Sequence, residues 1–284
     1  MEQKIELFLV SGFLGSGKTT FLRNVLTQIA GARVGVIVNE FGSVGIDGTV
    51  LRDDDLKMVE INNGSIFCAC LKGGFVKTLV AFLEQPIDYL FVEASGLADP
   101  SNMENFLEQM KPYLEKKPNI TRDYKYRGGI CIVDAMHFLQ FCKVFTPVEN
   151  QVRKSKFIVV NKVDSIENNQ KEEIFDKIKD LNPGAYIYPT NYGDVPLTVL
   201  DERLEAENEI AASSNTPWNR PATYIIDMPQ IDEIEKVEEF CREISDCAVP
   251  MKGFFLTKGG YGHVDCVGND IIVKRLEKDE KQIK

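Results

Sequence analysis

The chain has 284 residues, 44% hydrophobic and 27% charged, enough apolar material for one large core with room for a small second unit. Its 33 basic and 43 acidic residues give a formal charge of −10, which argues against nucleic-acid partners and against anionic membrane surfaces, since both recruit positive charge. No stretch reaches the roughly 18 apolar residues of a membrane span, and the first residues carry no secretory cleavage pattern. Seven irregularly spaced cysteines do not form a disulfide framework, so reduced thiols and a cytoplasmic setting are expected.

The first apolar run, IELFLV at 5–10, predicts a buried strand. It leads into Gly12-Phe13-Leu14-Gly15-Ser16-Gly17-Lys18-Thr19, a match to G-x-x-x-x-G-K-[ST] between a strand and a predicted helix over 18–30. Glycines at 12, 15 and 17 let backbone N–H groups wrap phosphates, and the helix N-terminus adds positive field. Lys18 is expected to reach the β- and γ-phosphates, and the Thr19 hydroxyl to ligate Mg²⁺, with Ser16 and Thr20 completing the phosphate contacts.

A second strand is predicted at 33–38, followed by the glycine-rich segment Asn39-Glu40-Phe41-Gly42 and Gly45-Ile46-Asp47-Gly48. Such a segment suits a nucleotide-sensing switch in which Glu40 or Asp47 binds a metal or water. Next comes NNGSIFCACLKGG, residues 62–74, with Cys68 and Cys70 one residue apart. The residues alone leave three readings of this pair: half of a metal site, a redox pair, or two small core side chains.

A helix over 72–85 precedes the strand DYLFVEA at 88–94, which ends in Glu93-Ala94-Ser95-Gly96. A carboxylate at that strand end can hold Mg²⁺ through water or orient an attacking water, and Gly96 permits close approach to a γ-phosphate. After a helix at 101–115 and the strand 129–135, a helix at 136–144 leads to KFIVVNK at 156–162. Asn161-Lys162-Val163-Asp164 then suits guanine. Asp164 can accept from the ring N–H and exocyclic amine, while Lys162 packs over the base; adenine presents the wrong donors, so GTP is favoured over ATP. A helix at 168–181 and a strand at 185–189 follow, with Thr190 and Asn191 as further candidates for the base pocket.

The expected class is therefore α/β, a doubly wound and mostly parallel sheet, over residues 1–205. The polar stretch 206–218 reads as a linker, and 219–284 as a small C-terminal α+β domain with strands around ATYIIDM, GFFLTKG, HVDCVG and DIIVKRL and one amphipathic helix. Cys131 is expected in the core, and Cys142, Cys241 and Cys247 as packing residues. His263 with Cys266 makes a weaker second metal candidate, and His137 reads as structural.

GFLGSGKTT, NEFGSVGID, EASGLADP and NKVD, in that order, resemble the CobW-type metallochaperone GTPases, relatives of the hydrogenase and urease nickel-insertion GTPases. The resemblance covers about residues 5–195. It implies GTP hydrolysis, with Lys18, Glu93 and Gly96 serving the reaction, coupled to delivery of a metal or metal cofactor to a client metalloprotein or cofactor enzyme. It also implies that Glu93 stands where other GTPases carry aspartate. Family members usually carry Cys-x-Cys-Cys after an Asn-Gly turn, whereas here Leu71 takes the third place. In that context Cys68 and Cys70 read as an open, exchangeable site for zinc or cobalt. Glu40, Asp47, water or the same pair from a second subunit would complete the shell, so a homodimer is among the expectations. The rival reading is a GTP-dependent chaperone of a corrinoid or other cofactor enzyme that carries no metal itself. A third, an ATP-dependent kinase on the same loop, is disfavoured by NKVD.

Overall fold

Apolar runs that are too short for helices and are apolar on both faces pack best as strands covered on each side, and the chain uses them that way. A computed structural model of the chain describes residues 4–29, 31–39, 56–61, 72–96, 103–205, 231, 233–244, 251–258, 260–267 and 270–275. The chain divides into two units, Met1–Arg220 and Pro221–Lys284.

The first unit contains β1 (Ile5–Gly12), α1 (Lys18–Gln28), β2 (Val34–Asn39), β3 (Leu56–Ile61), α2 (Lys72–Leu83), β4 (Tyr89–Glu93) and α3 (Met103–Leu114). It continues with β5 (Tyr124–Asp134), α4 (Phe138–Val144), α5 (Thr146–Arg153), β6 (Phe157–Asn161), α6 (Asn168–Leu181), β7 (Tyr186–Pro189) and α7 (Leu197–Glu205). The strands form one seven-stranded sheet in the order β3-β2-β4-β1-β5-β6-β7, parallel at every pairing. From β1 the chain runs first to one side, through β2 and β3, and later to the other, through β5, β6 and β7. The crevice beyond the C-terminal end of β1 is the switch point at which open α/β sheets bind ligands.

Strand periodicity splits the core into two layers. Leu7, Leu9, Leu90 and Val92 pack on one face with Phe75, Leu79 and Phe106 of α2 and α3. Phe8, Val10 and Phe91 pack on the other with Phe21, Leu22 and Val25 of α1 and Leu200 of α7. Strands were expected at the positions of β1, β2, β4, β5, β6 and β7. β3 was not, and neither was α5; α7 runs to Glu205, the residue before the stretch expected to be a linker. β3 is an edge strand covered by one neighbour, so LKMVEI can carry charges that break the apolar run.

A buried cation helps close the first unit well before the strand ends that carry the site. Arg127, 5% exposed, donates to Glu6 Oε2 at 2.8 Å and to the Asp201 carbonyl at 2.9 Å, with its guanidinium 5.9 Å from the Phe8 ring centroid. Glu6 is 25% exposed and keeps Lys125 at 3.4 Å, so losing Arg127 removes chiefly the charge-assisted hydrogen bonds that its buried guanidinium makes. Arg127→Met is therefore expected to lower the unfolding free energy by about 2 kcal/mol in urea denaturation while leaving nucleotide affinity within twofold.

The second unit packs α8 (Glu235–Ile244) on an antiparallel sheet of β8 (Met251–Thr257), β9 (Gly260–Val267) and β10 (Asp270–Arg275), in the order β10-β9-β8. Val237, Cys241, Phe255, Val264 and Cys266 form its core. The linker expected at 206–218 and the strand ATYIIDM lie outside the described residues.

Candidate nucleotide site

The loop from β1 to α1 has the backbone its glycines predict. Gly12, Gly15 and Gly17 have φ of 141°, 74° and 101°, all in the left-handed range that side chains avoid. A Cβ on Gly12 would lie 2.4 Å from the Ile132 carbonyl oxygen, and one on Gly17 would lie 2.5 Å from Asn161 Nδ2. Lys18 is 9% exposed, and its ammonium donates to the carbonyls of Gly12 at 3.0 Å and Phe13 at 3.3 Å, curled within its own loop. Thr19 is half-buried and Thr20 exposed at the start of α1. Phe13 anchors the loop, with ring centroids 4.9 Å from Phe141 and 5.0 Å from Phe145.

Beside this loop, β4 ends in Glu93, Ala94, Ser95 and Gly96, all buried. A Cβ on Gly96 would meet the Leu14 backbone nitrogen at 2.7 Å, so only glycine lets the β4 end lie this close to the phosphate loop. Gln151 of α5, 1% exposed, donates from Nε2 to the Gly96 carbonyl at 3.0 Å. The Ser16 and Ser95 hydroxyls are buried and, among the described residues, accept or donate no hydrogen bond.

The end of β6 joins this phosphate side to the base side. Asn161, 2% exposed, donates from Nδ2 to the Ser16 carbonyl at 2.9 Å and accepts the Gly193 N–H on Oδ1 at 2.9 Å. Lys162 then adopts φ 64°, and its ammonium donates to Asp134 Oδ2 at 2.7 Å. Asp164 exposes its carboxylate while its backbone N–H donates to Asn191 Oδ1 at 2.9 Å. Thr190 donates from Oγ1 to the Asp194 carbonyl, and its own carbonyl accepts the Val163 N–H at 3.3 Å. A Cβ on Gly193 would lie 2.8 Å from Phe21 Cα, so the loop after β7 rests on α1.

Gly12, Gly15, Ser16, Gly17, Lys18, Thr19, Thr20, Glu93, Gly96, Asn161, Lys162, Asp164 and Thr190 thus gather at the C-terminal ends of β1, β4, β6 and β7. Glu40, Asp47, Cys68 and Cys70 lie outside the described residues. Among the described residues no group of three or more His, Cys, Asp or Glu side chains could hold a metal ion. His263 and Cys266, three residues apart on β9, fall on opposite faces of their sheet, with Cys266 fully buried, so the second metal candidate does not assemble from that pair. Cys131, 2% exposed, is a core residue whose thiol burial pushes up to about 12. Asp134 and Gln151 were missed as site residues. Each acts through a partner distant in sequence, and only the carboxylate at the end of GICIVDA gave a visible hint.

A glycine cradle at the switch point of a parallel sheet, with its lysine, its helix N-terminus and a second polar turn tied to it through Asn161, defines a P-loop nucleotide-binding protein. Residues 6–189 match the CobW/HypB/UreG nucleotide-binding domain, and the chain belongs to that family.

Among its relatives, the zinc chaperone YjiA of Escherichia coli (strain K12) is 29% identical over 202 residues, covering 69% of this chain and 60% of that protein. The zinc chaperone CobW of Pseudomonas aeruginosa is 29% identical over 282 residues, covering 83% of this chain and 72% of that protein. The chain thus spans less than two thirds of YjiA's length in that match. The crystal structure of Zn(II)-bound YjiA GTPase from E. coli superposes with a TM-score of 0.53 at 23% identity, covering 98% of this chain and 91% of that one, a likeness of fold. No helix among the described residues is long and apolar enough to cross a membrane.

Proposed function

We propose that the chain hydrolyses GTP and couples nucleotide state to the binding and delivery of a transition metal, zinc or cobalt, to a client metalloprotein or cofactor enzyme in the cytoplasm. The observation that carries the nucleotide half is Asn161, the first residue of N-K-x-D, which ties Ser16 of the phosphate loop to Gly193 of the loop after β7 through bonds of 2.9 Å on each side. The positive-φ glycines and the buried, unsatisfied Ser16 and Ser95 hydroxyls fit a polyphosphate. Thr19 would hold Mg²⁺, which supplies neutralisation of the charge that develops on the γ-phosphate. Lys18 would leave its loop carbonyls for the β- and γ-phosphates, Glu93 would orient water, and the Gly96 turn would admit the γ-phosphate beside the loop.

The metal half is supported by the soft Cys68–Cys70 pair and by relatives named as zinc chaperones. β3, whose sequence leads on to the thiol segment, ends at Ile61, at the same end of the parallel sheet as the phosphate loop. GTP turnover is to be measured across zinc, cobalt, nickel and manganese, for the wild type and for Cys68→Ala/Cys70→Ala. Zinc or cobalt is expected to change the rate at least threefold in the wild type only. An equal response in both proteins would show that these thiols do not carry the metal.

A further inference from the structure

We infer that Asp134, at the end of β5, is a positioning residue that fixes Lys162 for packing on the guanine base. The inference rests on the guanine reading of NKVD and extends it to a residue outside that motif. β5 and β6 pair in parallel with Asp134 opposite Asn161, so the carboxylate stands beside the residue that precedes Lys162. The Asp134 side chain is 4% exposed, and its position is set from three directions. Its Oδ1 accepts the Met136 N–H at 3.0 Å, while Oδ2 lies 3.3 Å from His137 Nδ1 and accepts the Lys162 ammonium at 2.7 Å. His137 is itself held, stacked on Phe141 with centroids 5.4 Å apart.

A buried acceptor with three anchors is a fixed point, and a lysine head tied to it loses most of its rotational freedom before any ligand arrives. Lys162 is held at both ends, because its backbone sits at φ 64°, a conformation non-glycine residues seldom adopt without compensating contacts. With backbone and ammonium both set, the four-carbon stem is the part free to lie against a base. Burial alone would raise the Asp134 pKa, but the hydrogen bond from His137 and the charge and hydrogen bond of Lys162 outweigh it and hold the carboxyl below its ordinary range, so the anchor stays charged at neutral pH. A surface ion pair would carry little, but here one partner is buried and offers the ammonium a defined seat.

The test is calorimetric titration of GDP, with steady-state GTP kinetics, on the wild type, Asp134→Asn, Lys162→Met and the double variant. Asp134→Asn keeps the side-chain volume and an acceptor oxygen but removes the charge. It is expected to raise the GDP Kd and the GTP KM about tenfold while kcat at saturating GTP stays within twofold. Lys162→Met is expected to show a similar loss, and the double variant no more than twofold beyond either, because both changes remove one device. The double variant also contains no buried unpaired carboxylate, which keeps the cycle readable should Lys162→Met fold poorly. GDP affinity within twofold of wild type in Asp134→Asn overturns the inference. So do losses that multiply in the double variant, or a fall in kcat with KM unchanged. Wild-type protein that binds ADP as tightly as GDP would instead defeat the guanine reading itself.

Discussion

Replacing Gly17 with alanine is expected to weaken GDP binding by roughly 100-fold, from two effects that act together. The first is conformational: Gly17 has φ 101°, where an L side chain costs on the order of 1–3 kcal/mol. The second is steric, since the new Cβ would lie 2.5 Å from Asn161 Nδ2, a separation atoms do not tolerate. Asn161 cannot simply move, because that amide donates to the Ser16 carbonyl and accepts from the Gly193 N–H. Displacing it loosens the phosphate loop and the loop after β7 in one step, at about 1 kcal/mol for each hydrogen bond lost. Gly31→Ala separates the two effects: Gly31 has φ 90°, but a Cβ there meets nothing within 4 Å. That variant is expected to lose stability from strain alone, about 1 kcal/mol in urea unfolding, with GDP affinity unchanged. Equal loss of GDP affinity in both variants would show that strain, not the Asn161 contact, decides the outcome.

The same contact marks how far sequence reading reaches. G-x-x-x-x-G-K-[ST] and N-K-x-D each name a local function, since a glycine's freedom and a carboxylate's acceptor pattern are properties of single residues. That Asn161 joins the two depends on β6 lying beside β5, and Ser16 and Asn161 are 145 residues apart. Gln151 shows the limit from the other side. It lies in TPVENQVR, an eight-residue helix whose buried face includes Gln151 itself beside Pro147, Val148 and Val152, so neither apolar periodicity nor motif spacing announces it. Its hydrogen bond to Gly96 exists because tertiary packing brings α5 against the end of β4. The central strands were legible because burial on both faces demands unbroken apolar runs such as FIVVN, all five residues of which are buried. β3 was not legible, because Lys57 and Glu60 interrupt its apolar run LKMVEI. Where Asp134 was concerned, the strand was visible and its end was visible, but its partner Lys162 lies just past the end of the neighbouring strand.

The base-reading role proposed for Asp164 makes the second large prediction, a change of substrate and not a loss of fold. Asp164 opens its carboxylate to solvent at the strand end, just after the αL turn at Lys162, and its own N–H is fixed by Asn191 Oδ1 at 2.9 Å. The anchor is on the backbone, so changing the side chain leaves it in place. A carboxylate there accepts two hydrogen bonds, matching the ring N–H and the amine of guanine. An amide offers one acceptor and one donor, which leaves the guanine amine facing an N–H but matches xanthine, whose exocyclic group at that position is a carbonyl. Asp164→Asn is therefore expected to lower GTP affinity about 10³-fold and to raise XTP affinity until it exceeds that for GTP, because a site that mispairs a donor pays the full desolvation of that group. Competition between GTP and XTP for the variant, followed by hydrolysis of each at saturation, checks both parts. Turnover of XTP by Asp164→Asn near the wild-type GTP rate would separate base recognition from the chemistry proposed for Lys18, Glu93 and Gly96. GTP affinity unchanged in the variant would remove Asp164 from the base site and leave Asn161 with a purely structural task.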